Sequence, residues 1–209
     1  MDLTERNNSI KDFFDSKADE YDAVHLQMME NKSAITEQLE DKISNILDLG
    51  AGTGLELIPL FNKFPNAKVT VIDRSNHMLD NLRKREFSNK IEIICGDFFE
   101  IDFGNNYDAV ISSAALHHFN ETDKKRLYIK IYECLKSGGQ FINSDRIVDT
   151  QEEQDKLMKE YEENSKLHPH MDTPLASENE KRLLKEVGFK NIKINDLDDD
   201  RYKLLTCIK

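Results

Sequence analysis

Cysteine is scarce in this 209-residue chain: Cys95, Cys134 and Cys207 are far apart, and no Cys-x-x-Cys pair exists. A disulfide scaffold and a zinc finger are thereby excluded, and a reducing, cytoplasmic setting is the expectation. Basic residues are in deficit. The 29 Lys and Arg stand against 40 Asp and Glu, a formal net charge of −11. Such a chain repels phosphate backbones, which argues against nucleic acid as a partner. No segment approaches the ~18 consecutive apolar residues of a membrane span. The start, Met1-Asp2-Leu3-Thr4-Glu5-Arg6, lacks the basic stretch and apolar run of a secretory signal. Internal repeats and low-complexity linkers are also missing. With 38% hydrophobic residues the chain can still fill one sizeable core, so a single domain over 1–209 is expected.

Short apolar runs alternate with helical patterns through the first 147 residues. Strands are read at 45–49, 68–73, 91–95, 107–112 and 140–144, each bounded by turn residues. Helices fall at 55–64, from a Ser75 cap to about Glu86, and from a Thr122 cap to Gly138-Gly139. Pro59 inside the first of these is a cost with no evident compensation in the sequence. This alternation predicts an α/β fold, a parallel sheet with helices on both faces. The pattern then changes. A charged helix follows over 149–164, then an irregular stretch with His168-Pro169-His170-Met171-Asp172. A Ser177/Glu180 capping box opens a helix ending at Gly188, and strands at 191–194 and 202–208 can pair as a hairpin. Residues 149–176 read as a lid inserted over the carboxyl edge of the sheet.

The informative segment is Ile46-Leu47-Asp48-Leu49-Gly50-Ala51-Gly52-Thr53-Gly54-Leu55, a strand, three alternate glycines and a helix. Glycines there let a ligand approach the backbone at a helix N-terminus, the usual crevice of open α/β sheets. Asp73 ends the next strand and can reach ribose hydroxyls. The spacing G-x-G-x-G, preceded by Asp48, is not the G-x-G-x-x-G of dinucleotide folds, so a nicotinamide oxidoreductase is a poor match. No lysine follows the glycines, which excludes a P-loop.

Asp48-Leu49-Gly50-Ala51-Gly52-Thr53-Gly54 resembles motif I of the class I methyltransferases that use S-adenosylmethionine, small-molecule branch. The resemblance runs along nearly the whole chain. Val71-Ile72-Asp73-Arg74-Ser75, with Met78 after it, is similar to the ribose-binding motif II. Gly96-Asp97-Phe98 is similar to the adenine-contacting motif. Tyr107 to Phe119, with Ser112 and His117-His118, is similar to motif IV, and Leu135-Lys136-Ser137-Gly138-Gly139 to the turn before the fifth strand, with serine in place of proline. Phe14 to Asp22 resembles the N-terminal helix of that branch, where Tyr21 would close over the cofactor. The resemblance implies a Rossmann-like seven-stranded sheet, order 3-2-1-4-5-7-6, last strand antiparallel, with an N-terminal helical cap over 1–40. It implies S-adenosylmethionine as cofactor and S-adenosylhomocysteine as product. The cofactor would be held by Tyr21, Asp48, Gly50, Ala51, Gly52, Gly54, Asp73, Arg74, Met78, Asp97, Phe98 and Ser112. Asp48 would either brace the loop by accepting backbone N–H bonds or meet the cofactor's amino end.

Other residues carry expectations of their own. One of His117-His118 after the fourth strand, with His117 favoured, is a candidate general base, and a substrate-facing lid would use His170, also a catalytic candidate, or Asp172. His168, His170 and Asp172 alternate, so an extended chain would point all three to one side. With His117 or His118 they could hold Zn, Mn or Fe. Cys95 and Cys134 read as core, and Arg83-Lys84-Arg85 as a solvated helix end. Residues 149–200 carry 15 acids against 8 basic residues, which favours a cationic or neutral acceptor over RNA. Ser112-Ser113-Ala114-Ala115 stands where methyltransferases of DNA-base amines carry Asn/Asp-Pro-Pro-Tyr. The expected activity is in-line methyl transfer to a small molecule by a monomer or homodimer. A tRNA or other macromolecular acceptor, and a non-catalytic cofactor-binding module, are the rivals.

Overall fold

The computed structural model describes residues 3–25, 29–163, 172–197 and 202–209. One seven-stranded sheet runs β3-β2-β1-β4-β5-β7-β6. Its strands are β1 (Asn45–Leu49), β2 (Lys68–Asp73), β3 (Ile91–Cys95), β4 (Tyr107–Ser113), β5 (Leu135–Asp145), β6 (Lys190–Asp196) and β7 (Lys203–Ile208). β1 to β5 are mutually parallel, and β7 lies antiparallel to both β5 and β6, the hairpin expected from the sequence. Strand order reverses between β1 and β4. Connections leave the sheet in opposite directions there, and a crevice opens at the carboxyl ends of the strands.

Alternation along the strands divides the core into two layers. Ile46, Val69, Val71, Ala109 and Ile111 face α3 (Met29–Gln38), α4 (Leu57–Lys63) and α5 (Asn76–Leu82). Leu47, Leu49, Ile72, Val110 and Phe141 face α6 (Glu121–Cys134) and α8 (Ser177–Val187). Two further helices, α1 (Leu3–Lys17) and α2 (Tyr21–His25), lie at the crevice, and α7 (Gln151–Glu163) follows β5 with no residue buried.

Several local expectations are corrected. α6 is capped by Asn120, whose side chain accepts from Asp123 N at 2.9 Å, not by Thr122. It ends at Cys134, and the glycines belong to β5. Leu135 pairs with Tyr107 and Gln140 with Ala109, so residues 136–139 bulge, stitched to Lys209 by Gly138 N and Gly139 O. The Ser177/Glu180 capping box does not form. Ser177 Oγ bonds Val148 O at 3.1 Å, and Glu180 turns inward. Pro59 is harmless because α4 starts at Leu57, which places Pro59 in the first turn where its N–H would have no partner in the helix. Ser75 caps α5 as expected, 3.1 Å from Met78 N. Cys95 is exposed at the end of edge strand β3, whereas Cys134 is buried.

Candidate functional site

The crevice is lined by Gly50 and Gly52 after β1, Asp73, Arg74 and Met78 after β2, Asp97 and Phe98 after β3, and Ser113 and Ala115 after β4. Asn7, Ile10, Lys11 and Phe14 of α1, with Tyr21 of α2, form its outer wall. Of the residues expected to hold the cofactor, Tyr21, Gly50, Gly52, Asp73, Arg74, Met78, Asp97 and Phe98 therefore meet on one surface. Gly50 (φ +80°) sits so tightly that an added Cβ would stand 2.4 Å from Ala115 Cβ. At Gly52 (φ +52°) an added Cβ would stand 3.3 Å from Met78 Cε, on the crevice wall. The missing side chain at Gly50 thus makes room for Ala115, and at Gly52 it leaves bare backbone on the crevice wall.

Asp48, Ala51, Gly54 and Ser112 are not on that surface. Ser112 is fully buried, its hydroxyl donating to Leu49 O at 2.7 Å, so it ties β4 to the end of β1 while Ser113 faces the crevice. Gly54 packs against Leu82 of α5, and Ala51 joins the core. Asp48 is fully buried and accepts no backbone N–H. Burial, then the neighbouring Glu56 carboxyl, holds its pKa well above the usual carboxylate range. Glu56 in turn is paired with buried Lys32 at 3.0 Å, and Lys32 also donates to Ser113 Oγ at 3.3 Å. The loop is braced instead by Asp73, which accepts from Gly52 N at 2.8 Å and Ser75 N at 2.7 Å. Burial nevertheless raises the Asp73 pKa to about 6.

Asp97 is engaged on both oxygens. Oδ1 accepts from Phe99 N at 2.9 Å, and Oδ2 accepts from Asn7 at 2.7 Å and pairs with Arg74. Further polar bonds tie α1 and α2 across the crevice: Ser75 Oγ to Asp15 at 2.5 Å, Arg74 to Asn8 at 2.8 Å, and Thr53 to Asp22 at 2.6 Å. Arg85 is not a solvated helix end. It pairs with Asp22 at 2.5 Å and donates to Thr53 O at 3.0 Å.

A second chamber adjoins the first, sharing Phe14, Tyr21, Ala114 and His118. His25, His117 and Asp172 complete its polar lining, with Lys17 and Glu20. His117 and His118 stand on the short turn 116–118 after β4, and both are buried. His117 Nδ1 lies 2.5 Å from Oδ1 of Asp145, the last residue of β5. Burial works to raise the Asp145 pKa, but His117, Lys124 and Asn143 hold it below the usual range. An ionised Asp145 can only accept, so Nδ1 carries the proton and Nε2 faces the chamber. His118 Nδ1 is 3.0 Å and His117 Nε2 3.6 Å from Asp172 Oδ1. His168 and His170 lie outside the described residues.

Asn7, Asp145 and the Lys32–Glu56 pair escaped the sequence reading. For Asp145 a signal existed: an acid closing a strand at the sheet's carboxyl edge. For Asn7, on a polar helix, there was none.

Residues 46–139 match the family model of the methyltransferase domain. The chain is 32% identical over 156 residues to an uncharacterised methyltransferase of Bacillus cytotoxicus, covering 70% of this chain and 71% of that protein. It is 31% identical over 139 residues to a malonyl-[acyl-carrier protein] O-methyltransferase of Priestia megaterium, covering 65% of this chain. The chain spans only half the length of that relative, 50%. The fold is also that of a candidate O-methyltransferase from Nostoc punctiforme, with TM-score 0.75 at 21% identity over 94% of this chain and 60% of that one.

Proposed function

Because the chain belongs to the class I S-adenosylmethionine-dependent methyltransferases, we propose that it methylates a small molecule bound in the chamber beside the cofactor crevice. The observation that carries this reading is adjacency: Phe14, Tyr21, Ala114 and His118 border both spaces, so an acceptor in the chamber would lie beside a cofactor in the crevice. The residues fit the cofactor. Bare backbone at Gly52 leaves room for it, Asp73 would accept ribose hydroxyls, and Asp97 with Phe98 would recognise adenine. Tyr21, Met78 and Arg74 would enclose it. Asp48, Ala51, Gly54 and Ser112 act one layer back, shaping the loop and strand ends.

S-adenosylmethionine, when bound, supplies an electrophilic sulfonium methyl group and departs as S-adenosylhomocysteine. The chain's own work is to align an acceptor in line with that group and to exclude water. Phe13, Phe14 and Val24 give the chamber apolar surface, and His117 Nε2 offers a lone pair toward an acceptor hydroxyl. We also take α1 to α3 as a cap and residues 149–176 as a lid. Among the described residues no helix is long and apolar enough to cross a membrane.

Calorimetric titration tests the reading. S-adenosylmethionine should bind with micromolar affinity and NAD should not. Incubation with a panel of small hydroxylated, thiol and amine acceptors should then release S-adenosylhomocysteine. Failure to bind S-adenosylmethionine in any buffer, or turnover confined to RNA or protein acceptors, would overturn it.

A further inference from the structure

Two histidines and a carboxylate from separate stretches of chain converge in the acceptor chamber. His117 and His118 come from the turn after β4, and Asp172 from the far side of the insertion. One donor atom of each lies within 4.8 Å of the others. Asp172 Oδ1 is the nearest common partner, 3.0 Å from His118 Nδ1 and 3.6 Å from His117 Nε2. Around a first-row ion with bonds of about 2.0–2.2 Å, neighbouring ligand atoms stand roughly 3–3.5 Å apart. The two separations from Asp172 Oδ1 are already close to that spacing.

The groups behind them point the same way. Asp145 fixes the tautomer of His117 and pushes its Nε2 lone pair forward, the outer-shell arrangement of metal-bound imidazoles. Asp172 Oδ2 is held by Arg146 at 3.1 Å and Tyr161 at 3.3 Å, which leaves Oδ1 turned to the histidines. The backbone is fastened too, since Thr173 N donates to His117 O at 2.6 Å. An imidazole pair with one carboxylate suits zinc, iron or manganese better than the all-oxygen preference of calcium.

We propose that His117, His118 and Asp172 bind one first-row divalent ion, whose open positions face the chamber and take an oxygen of the methyl acceptor. Whether the ion binds depends on these side chains and the groups that hold them, not on methyl transfer. What it does there, polarising an acceptor hydroxyl, rests on the methyltransferase reading. With the ion in place His117 is a ligand, not a base.

Untagged protein, stripped with chelator, is titrated calorimetrically with Zn2+ and, separately, with Co2+ followed by visible absorption. The wild type should take up one equivalent of each. D172N and H118Q should weaken Zn2+ at least about tenfold, and D145N, which touches no ligand atom facing the ion, by about 10–100-fold. Thermal melting of each variant verifies that it is folded, and two ligand variants guard against the loss of either. Absence of stoichiometric uptake by the wild type overturns the proposal. So does uptake indifferent to both D172N and H118Q, which would assign it to surface acids. Zn2+ binding without S-adenosylmethionine binding would leave the metal site standing and remove the methyltransferase reading. The reverse would remove the metal site alone.

Discussion

Asp73 braces the glycine loop through Gly52 N and Ser75 N and also lines the crevice, where it would meet the ribose of the proposed cofactor. Its raised pKa, about 6, has a consequence for ligand binding. Hydroxyl donors bind the ionised carboxylate, so protons compete with the cofactor. Affinity for S-adenosylmethionine should be flat above neutrality and fall by about tenfold per pH unit below pH 6. Calorimetry across this range tests it, and D73N should bind weakly with no such slope. Folding has its own sign: the raised pKa favours the protonated folded state, a stabilisation present below about 3.8 and lost as pH rises through 6. At this scale the glycine spacing, the acid closing β2 and the acid following β3 were legible in the sequence, because strand ends are marked locally. Whether Asp48 or Asp73 braces the loop was not. That depends on which way each strand-end carboxyl turns, and Asp48 turns inward to Glu56.

Helices α6 and α8 are joined by a buried polar cluster. Lys124 pairs with Glu180, each about 1% exposed, and Tyr128 donates to the second Glu180 oxygen at 2.5 Å. This pair fixes α8, which begins shortly after Asp172, against α6. K124M leaves Glu180 buried without its cation and should cost about 3–5 kcal/mol, read from the urea midpoint. K124M/E180L, which removes both charges, should recover most of that loss. The sequence reading placed Glu180 in a capping box, since an acid three residues after a serine fits one. The helix begins one residue differently from that motif's needs, and a long-range partner 56 positions away outcompetes the local one. The start of β5 is hidden for a similar reason: the glycines that punctuate it look like a helix end until Lys209, from the far end of the chain, bonds to them.

Over the whole molecule, sheet order and the carboxyl-edge crevice followed from alternating strands and helices. The cap was legible as a helix, but its docking was not, because Ile10, Phe13 and Phe14 of α1 line the crevice and the chamber and do not join the core. The buried residues of α1 are Arg6 and Asn7, the first paired with Asp123 at 3.7 Å and the second bonded to Asp97. A helix seated by scattered polar bonds opens at a lower free energy than strands seated by a core. In hydrogen–deuterium exchange, amides of α1 should therefore exchange well before those of β1 and β4. Saturating S-adenosylmethionine should slow α1 preferentially, and equal protection of cap and sheet without ligand would contradict this. If it holds, the lifetime of α1 against a protease becomes a gauge of cofactor supply: a starved chain is trimmed at its N-terminal end, and a supplied one is spared.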